Sequence, residues 1–173
     1  MQVIGLAGRA GSGKSEVASH IAERYPAGKC VILPFAGPLK DLCRREFGWD
    51  GRKDGKGRRL LQVVGTDAGR AYNPRIWVDK WRADADYHRR QGCMCIIADD
   101  VRFANECGEI RALGGVVWRV DRPDQIVTGE VQHVSELPLA DHLVDGAIDN
   151  RGSLAALKYR VDTMMLQLIG GAK

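Results

Sequence analysis

The chain has 173 residues, 45% of them apolar, and a formal net charge of +4. That length suits one well-buried domain and leaves little for a second. No run approaches the roughly 18 apolar residues of a membrane span, and so mild a charge falls short of the basic bias of a nucleic-acid binder, so neither membrane nor nucleic acid is expected as a partner.

In chain order, strands and helices alternate, the pattern of an α/β domain. Val3–Ala7 reads as a buried strand and Lys14–Arg24 as a helix stopped before Pro26. Val31–Leu33 is a short strand, and Pro38–Phe47 a helix ended by Gly48. Asp50–Arg59 has no apolar residue and is expected to be a mobile, solvated loop. Arg59–Arg70 has helical spacing at Leu60, Val63 and Val64, and Ile76–Arg90 is a helix with Trp77, Trp81 and Ala85 on one side. Met94–Ala98 is an apolar strand running into Asp99 and Asp100. Asn105–Leu113 is helical, Val116–Val120 is the next strand, and the polar stretch Pro123–Leu139 reads as a loop. Leu143–Ile148 reads as a fifth strand, and Ser153–Ile169 as a terminal helix with Ser153 at its N-cap. Short apolar strands without alternation predict a parallel sheet covered on both faces.

The five cysteines, Cys30, Cys43, Cys93, Cys95 and Cys107, include no CxxC pair and no His at zinc spacing, so buried free thiols are expected. The apolar N-terminal run leads straight into a glycine loop instead of a cleavage site, and a cytoplasmic location is expected.

Gly8-Arg9-Ala10-Gly11-Ser12-Gly13-Lys14-Ser15 satisfies GxxxxGK[ST] at every fixed position. Gly8, Gly11 and Gly13 let the backbone wrap phosphate, so that successive N–H groups point inward at a helix N-terminus. Lys14 reaches the β- and γ-oxygens of ATP and the Ser15 hydroxyl ligates Mg²⁺. Ser12 and Glu16 complete the ATP-binding set. The motif follows a strand and opens a helix, the context that confirms it.

Two further segments carry chemistry. In Phe35-Ala36-Gly37-Pro38-Leu39-Lys40-Asp41, just after the second strand, Lys40 lies on the sheet edge where ligands of open parallel sheets sit. In Asp99-Asp100-Val101-Arg102, an acidic pair ending a strand is where a carboxylate for Mg²⁺ is expected, and Arg102 can clamp a transferring phosphoryl group. Glu106, four residues on, is expected to orient Arg102 through an i,i+4 pair.

These segments, with RRLLQVVGTDAGR (58–70), Trp77-Val78, DVRFANE (100–106), VWRVDRP (117–123), His133-Val134-Ser135-Glu136 and IDNRGSL (148–154), resemble the bacteriophage deoxynucleoside monophosphate kinases. The resemblance implies a three-layer P-loop fold with a five-stranded parallel sheet, helices on both faces and short mobile lids. It implies the reaction ATP + dNMP → ADP + dNDP with Mg²⁺ and small nucleotides as partners; a homodimer stays open. Position by position, Lys14, Asp100 and Arg102 would be catalytic, with Ser15 and Asp100 at the metal. Lys40, Gln62, Arg70, Arg102 and Glu106 would line the acceptor, and Asn150 and Gly152 would lie near the adenine. One domain spans 1–173, with 48–75 as a small acceptor-binding part and 122–140 as a lid; Arg119 and Arg122 border that lid. This chain departs from the best-known phage member at Ala10, Gly11 and Ser15 and in its short 48–59 loop. Phosphomevalonate and dephospho-CoA kinases share the GPLK or GSGKS segments but not the GTD…WV and HxSE blocks, and are the alternatives.

Overall fold

A computed structural model describes residues 1–52, 54–122, 133–134 and 137–170. Its five strands are β1 (Gln2–Ala7), β2 (Cys30–Ile32), β3 (Cys95–Val101), β4 (Val116–Asp121) and β5 (Gly146–Asp149). They form one sheet in the spatial order β2-β3-β1-β4-β5, and every pair is parallel. β1 lies in the middle, and its residues from Val3 to Ala7 are all buried. A central parallel strand is covered on both faces, which is why it reads as an unbroken apolar run.

The helices are α1 (Lys14–Ala22), α2 (Gly37–Phe47), α3 (Gly55–Gln62), α4 (Ile76–Arg90), α5 (Ala104–Ala112) and α6 (Leu154–Gly170). One sheet face packs Val3, Ile96, Ala98 and Val117 against Val78 and Trp81 of α4 and Cys107 and Ile110 of α5. The other packs Ile4, Leu6, Ile97 and Ile148 against Val17 and Ile21 of α1 and Leu157 and Val161 of α6. Trp81 is fully buried, stacks on Phe35 at 4.4 Å between centroids, and donates its indole N–H to the Leu33 carbonyl at 2.8 Å. It thereby anchors the chain leaving β2, and its truncation to Ala costs about 3–5 kcal/mol. A third apolar cluster joins Leu39 and Cys43 of α2 to Trp77 of α4 and to Leu60, Leu61 and Val64.

Three elements differ from the sequence reading. The polar stretch 50–59 is not wholly a loop: α3 starts at Gly55, because the Asp54 carboxylate accepts the Gly57 N–H at 2.8 Å and caps the first turn. The chain then continues as a π-helical segment, Val63–Arg70, where regular α-spacing was expected. Within it the Gly65 carbonyl accepts the Trp77 indole N–H at 2.8 Å, a side-chain bond that local periodicity does not reveal. β5 starts at Gly146 instead of Leu143, since Asp141–Leu143 forms a 3₁₀ turn and Asp145 exchanges two 2.8 Å hydrogen bonds with the Val117 backbone. Ser153 does cap α6, accepting the Ala156 N–H at 3.2 Å. All five cysteines are free thiols, buried except for the half-buried Cys30. Among the described residues no helix is long and apolar enough to cross a membrane.

Candidate active site

At the carboxyl end of β1 the chain turns through Gly8 with φ 130°, and a Cβ there would lie 2.4 Å from the Val120 carbonyl oxygen. Only glycine satisfies both the angle and the space. The loop closes through Gly13, φ 101°, onto the first turn of α1, where Glu16 supplies the acidic residue favoured at a helix start. The orphan amides of that turn and the helix dipole make a ready anion site. The Lys14 ammonium folds over its own loop, donating to the carbonyls of Gly8 at 2.8 Å and Arg9 at 2.7 Å.

β3 arrives beside this loop with an irregularity. β1 and β3 keep register from Gln2↔Cys95 to Gly5↔Ala98, and then Ala7 pairs with Val101. β3 thus holds one extra residue at Asp99–Asp100, and a bulge of this kind re-aims side chains. The two carboxylates part company there. Asp100 accepts the Phe35 N–H at 2.7 Å on one oxygen and the Ala36 N–H at 3.1 Å on the other, fixing the turn into α2. Asp99 faces the field of Lys40 and Lys14; burial, and then the Asp100 charge, push its carboxyl above the usual range against those two cations.

The start of α5 is built around Glu106, which is 2% exposed. Its carboxylate accepts the backbone N–H groups of Arg102 at 2.7 Å and Phe103 at 3.1 Å, and it pairs with the Arg70 guanidinium from the π-helical segment. The expected Glu106–Arg102 side-chain pair is therefore replaced by a backbone bond to Arg102 and an ion pair to Arg70. Burial pushes the Glu106 carboxyl up to about 7, with Arg70 pulling the other way. Arg70 in turn lies 4.0 Å over the Phe103 ring. Nearby, a ring nitrogen of His133 meets the Asp67 carboxylate at 2.9 Å.

A cleft of about 650 Å³ opens between these elements. Gly11, Gly13, Lys14, Ser15 and Glu16 line one side; Lys40, Gln62, Arg70, Asp100, Arg102 and Glu106 line the other. Gly8, Ser12, Asn150 and Gly152 are not on its wall. Gly8 supplies the turn beneath the loop, and Ser12 is 2% exposed, its hydroxyl without a hydrogen-bond partner among the described residues. Asn150, expected near an adenine, gives its side-chain amide to the Ser12 carbonyl at 2.8 Å. Gly152 turns the chain at φ 106° toward α6.

Sequence reasoning left out Arg58, Thr66 and Phe103, which also line the cleft, and chose Asp100 over Asp99 from the acidic pair, both of which line it. The acidic doublet was a signal for Asp99; the others follow from the path of α3 and the π-helical segment. Arg122 lines the cleft, whereas Arg119 is held by Asp121 and Asp141. The lid expected over 122–140 lies mostly outside the described residues, apart from Arg122, His133, Val134 and 137–140.

Residues 46–161 match the deoxynucleotide monophosphate kinase family. An Acanthamoeba polyphaga mimivirus protein, by name a deoxynucleotide monophosphate kinase, is 31% identical over 164 residues, covering 80% of this chain and 82% of its own. An uncharacterized protein of Ictalurid herpesvirus 1 is 28% identical over 156 residues; the match covers 88% of this chain but 62% of that relative's length. Among solved structures, TT1252 from Thermus thermophilus superposes with a TM-score of 0.52 at 19% identity, covering 96% of this chain and 97% of the other. That likeness concerns the fold alone.

Proposed function

The chain belongs to the deoxynucleotide monophosphate kinase family, and we propose that its cleft seats the phosphates of ATP on the 8–15 loop and a deoxynucleoside monophosphate against Lys40, Gln62, Arg70 and Glu106. The activity is the phosphorylation of deoxynucleoside monophosphates, ATP + dNMP → ADP + dNDP. The family sets aside the phosphomevalonate and dephospho-CoA alternatives. One observation carries the placement of the substrates: Lys14 and Ser15 on one wall and Lys40, Arg70 and Arg102 on the other open into the same 650 Å³ space. That volume suits small molecules, and its cations suit two polyanions.

Phosphoryl transfer asks the protein for alignment and for cancellation of charge on the equatorial oxygens. Lys14 exchanges its two loop carbonyls for phosphate oxygens when ATP enters. Arg102 supplies charge at the transferring group, its backbone pinned by Glu106. Lys40 and Arg70 hold the acceptor phosphate. Arg70 is fixed in direction by Glu106 below and by the Phe103 ring beneath its plane, a cation–π contact suited to a guanidinium. We assign residues 48–75 to the acceptor side and Arg122 to the rim where the next segment begins.

Among the described residues no three His, Cys, Asp or Glu side chains are grouped to hold a metal. Mg²⁺ needs no such cage, because it takes one or two protein oxygens and completes its shell with water and phosphate. Ser15 and Asp99, both on the cleft, would hold it, and these hard oxygens fit. Asp100 was expected there; each of its oxygens accepts an amide and keeps a further lone pair, so we assign it to shaping the Phe35–Ala36 turn beside the metal and place Asp99 nearer the ion. Held by Ser15 and Asp99, Mg²⁺ would supply positive charge to offset that of the phosphate oxygens.

The test is a panel of nucleoside monophosphates with ATP and Mg²⁺, followed by ADP release and chromatography of the products. Turnover of one or more dNMPs to dNDP supports the reading. No turnover of any dNMP, with turnover of a non-nucleotide acceptor, overturns it.

A further inference from the structure

We propose that Asn150 is a positioning residue of the phosphate loop, setting its backbone from behind instead of touching the adenine. The inference rests on the donor-site reading above and names a role for a residue that lies off the cleft. Asn150 directly follows β5. Its backbone N–H donates to the Asp121 carbonyl at 2.7 Å, extending the β4–β5 ladder one step past the Asp121↔Asp149 pair. Its side-chain amide donates to the Ser12 carbonyl at 2.8 Å, across 138 residues of chain. The same nitrogen lies 2.5 Å from where a Cβ on Gly13 would stand, so it sits against the residue that precedes Lys14.

The geometry of the peptide unit turns this bond into a functional statement. A trans peptide is planar, with its carbonyl and N–H pointing in opposite directions. Described peptides are all trans. Holding the Ser12 carbonyl toward Asn150 therefore aims the Gly13 N–H away from Asn150, and Gly13 is a residue of the cleft wall. That N–H is one of the amides a phosphate-binding loop must present.

Asn150 is itself braced. From α6, Arg160 donates one guanidinium nitrogen to the Asp149 carbonyl at 2.6 Å and to the Arg151 carbonyl at 3.0 Å. The Asp149 carboxylate accepts the Arg151 N–H at 3.1 Å. The turn carrying Asn150 is thus clamped between β4 and α6, and the loop inherits that rigidity.

The experiment measures equilibrium binding of ATP, GTP and inorganic tripolyphosphate, each with Mg²⁺, to the wild type and to Asn150→Ala, Asn150→Asp and Asn150→Ser. Binding of a dNMP without ATP is measured alongside. A positioning role lowers affinity for all three triphosphates alike, by about tenfold for Ala, the loss of one hydrogen bond. Asp loses more, because its carboxylate faces a carbonyl oxygen, and Ser loses less. The dNMP affinity stays within about twofold by the same reasoning. Unchanged tripolyphosphate binding with weaker ATP binding, or an altered ATP-to-GTP ratio, assigns Asn150 to the base and overturns the proposal. An equal loss of dNMP binding marks general damage and overturns it as well. A wild type that binds neither ATP nor tripolyphosphate overturns the donor-site reading and this proposal with it.

Discussion

Arg70 and Glu106 stand thirty-six residues apart in the chain and meet as an ion pair on the wall of the cleft, with side chains 12% and 2% exposed. The carboxylate also holds two amides at the start of α5, so one buried group links the Arg70 guanidinium, proposed above to hold the acceptor, to the backbone of Arg102. Glu106→Ala leaves Arg70 without its partner. Breaking a buried pair costs about 3–5 kcal/mol, and urea unfolding measures it. Glu106→Gln keeps an acceptor for the amides and is expected to recover much of the stability while the acceptor KM stays raised.

The same carboxyl sets a pH dependence. Its folded value, about 7, lies above its ordinary 4.5. Between those values the folded protein binds more protons at this site than the unfolded chain does. This site's contribution to stability is therefore complete below about 4.5 and is lost as pH rises through about 7, on the order of 3 kcal/mol in all. Activity runs the other way, because the ionised form holds Arg70. Acceptor KM is expected to rise as pH falls through 7, and Glu106→Gln should flatten both profiles, read from urea titrations and initial rates.

The two neighbouring aspartates are expected to separate cleanly. Asp99→Asn should leave the melting temperature nearly unchanged while raising the Mg²⁺ concentration for half-activity and lowering kcat, by about a hundredfold. Asp100→Asn turns one acceptor oxygen into a donor facing a backbone amide. It should cost about 1–3 kcal/mol of stability and raise acceptor KM through the displaced turn carrying Lys40. Mg²⁺ titrations and thermal melts of the two variants check this.

Arg102→Ala should lower kcat by about a thousandfold, the scale of losing a cation at the transferring phosphoryl group, with ATP affinity within a few-fold of wild type. Lys40→Ala should chiefly raise acceptor KM. Steady-state kinetics with ADP release as the readout separate the two, and unchanged turnover for Arg102→Ala removes it from the transfer step.

How far these roles could be read without coordinates depended on the range of the interactions. The phosphate loop was legible because its constraints are local: Gly8 and Gly13 carry positive φ, and Lys14 folds over carbonyls five and six residues away. The alternating elements were legible from apolar runs, and so was the Ser153 cap. The start of α3 before Arg59 was missed because its first turn is wholly polar and depends on the Asp54 cap. The hold of Asp100 on the turn into α2 was not legible, because its amide partners at Phe35 and Ala36 come from another strand end, sixty-five and sixty-four residues away. Glu106 was paired with Arg102 by helical spacing, whereas Arg70 reaches it from the π-helical segment. The cap of α3 is a local contact without an apolar pattern, and the partners of Asp100 and Glu106 are long-range hydrogen bonds; sequence periodicity encodes neither.

The most direct test of the central claim follows the γ-phosphoryl group itself. The enzyme is mixed with γ-labelled ATP, Mg²⁺ and a dNMP, and the products are separated. The label should appear at the β-position of dNDP in one-to-one proportion with ADP, and Lys14→Met should abolish it. Label recovered as inorganic phosphate at a rate indifferent to the dNMP would contradict a cleft built to hold both nucleotides.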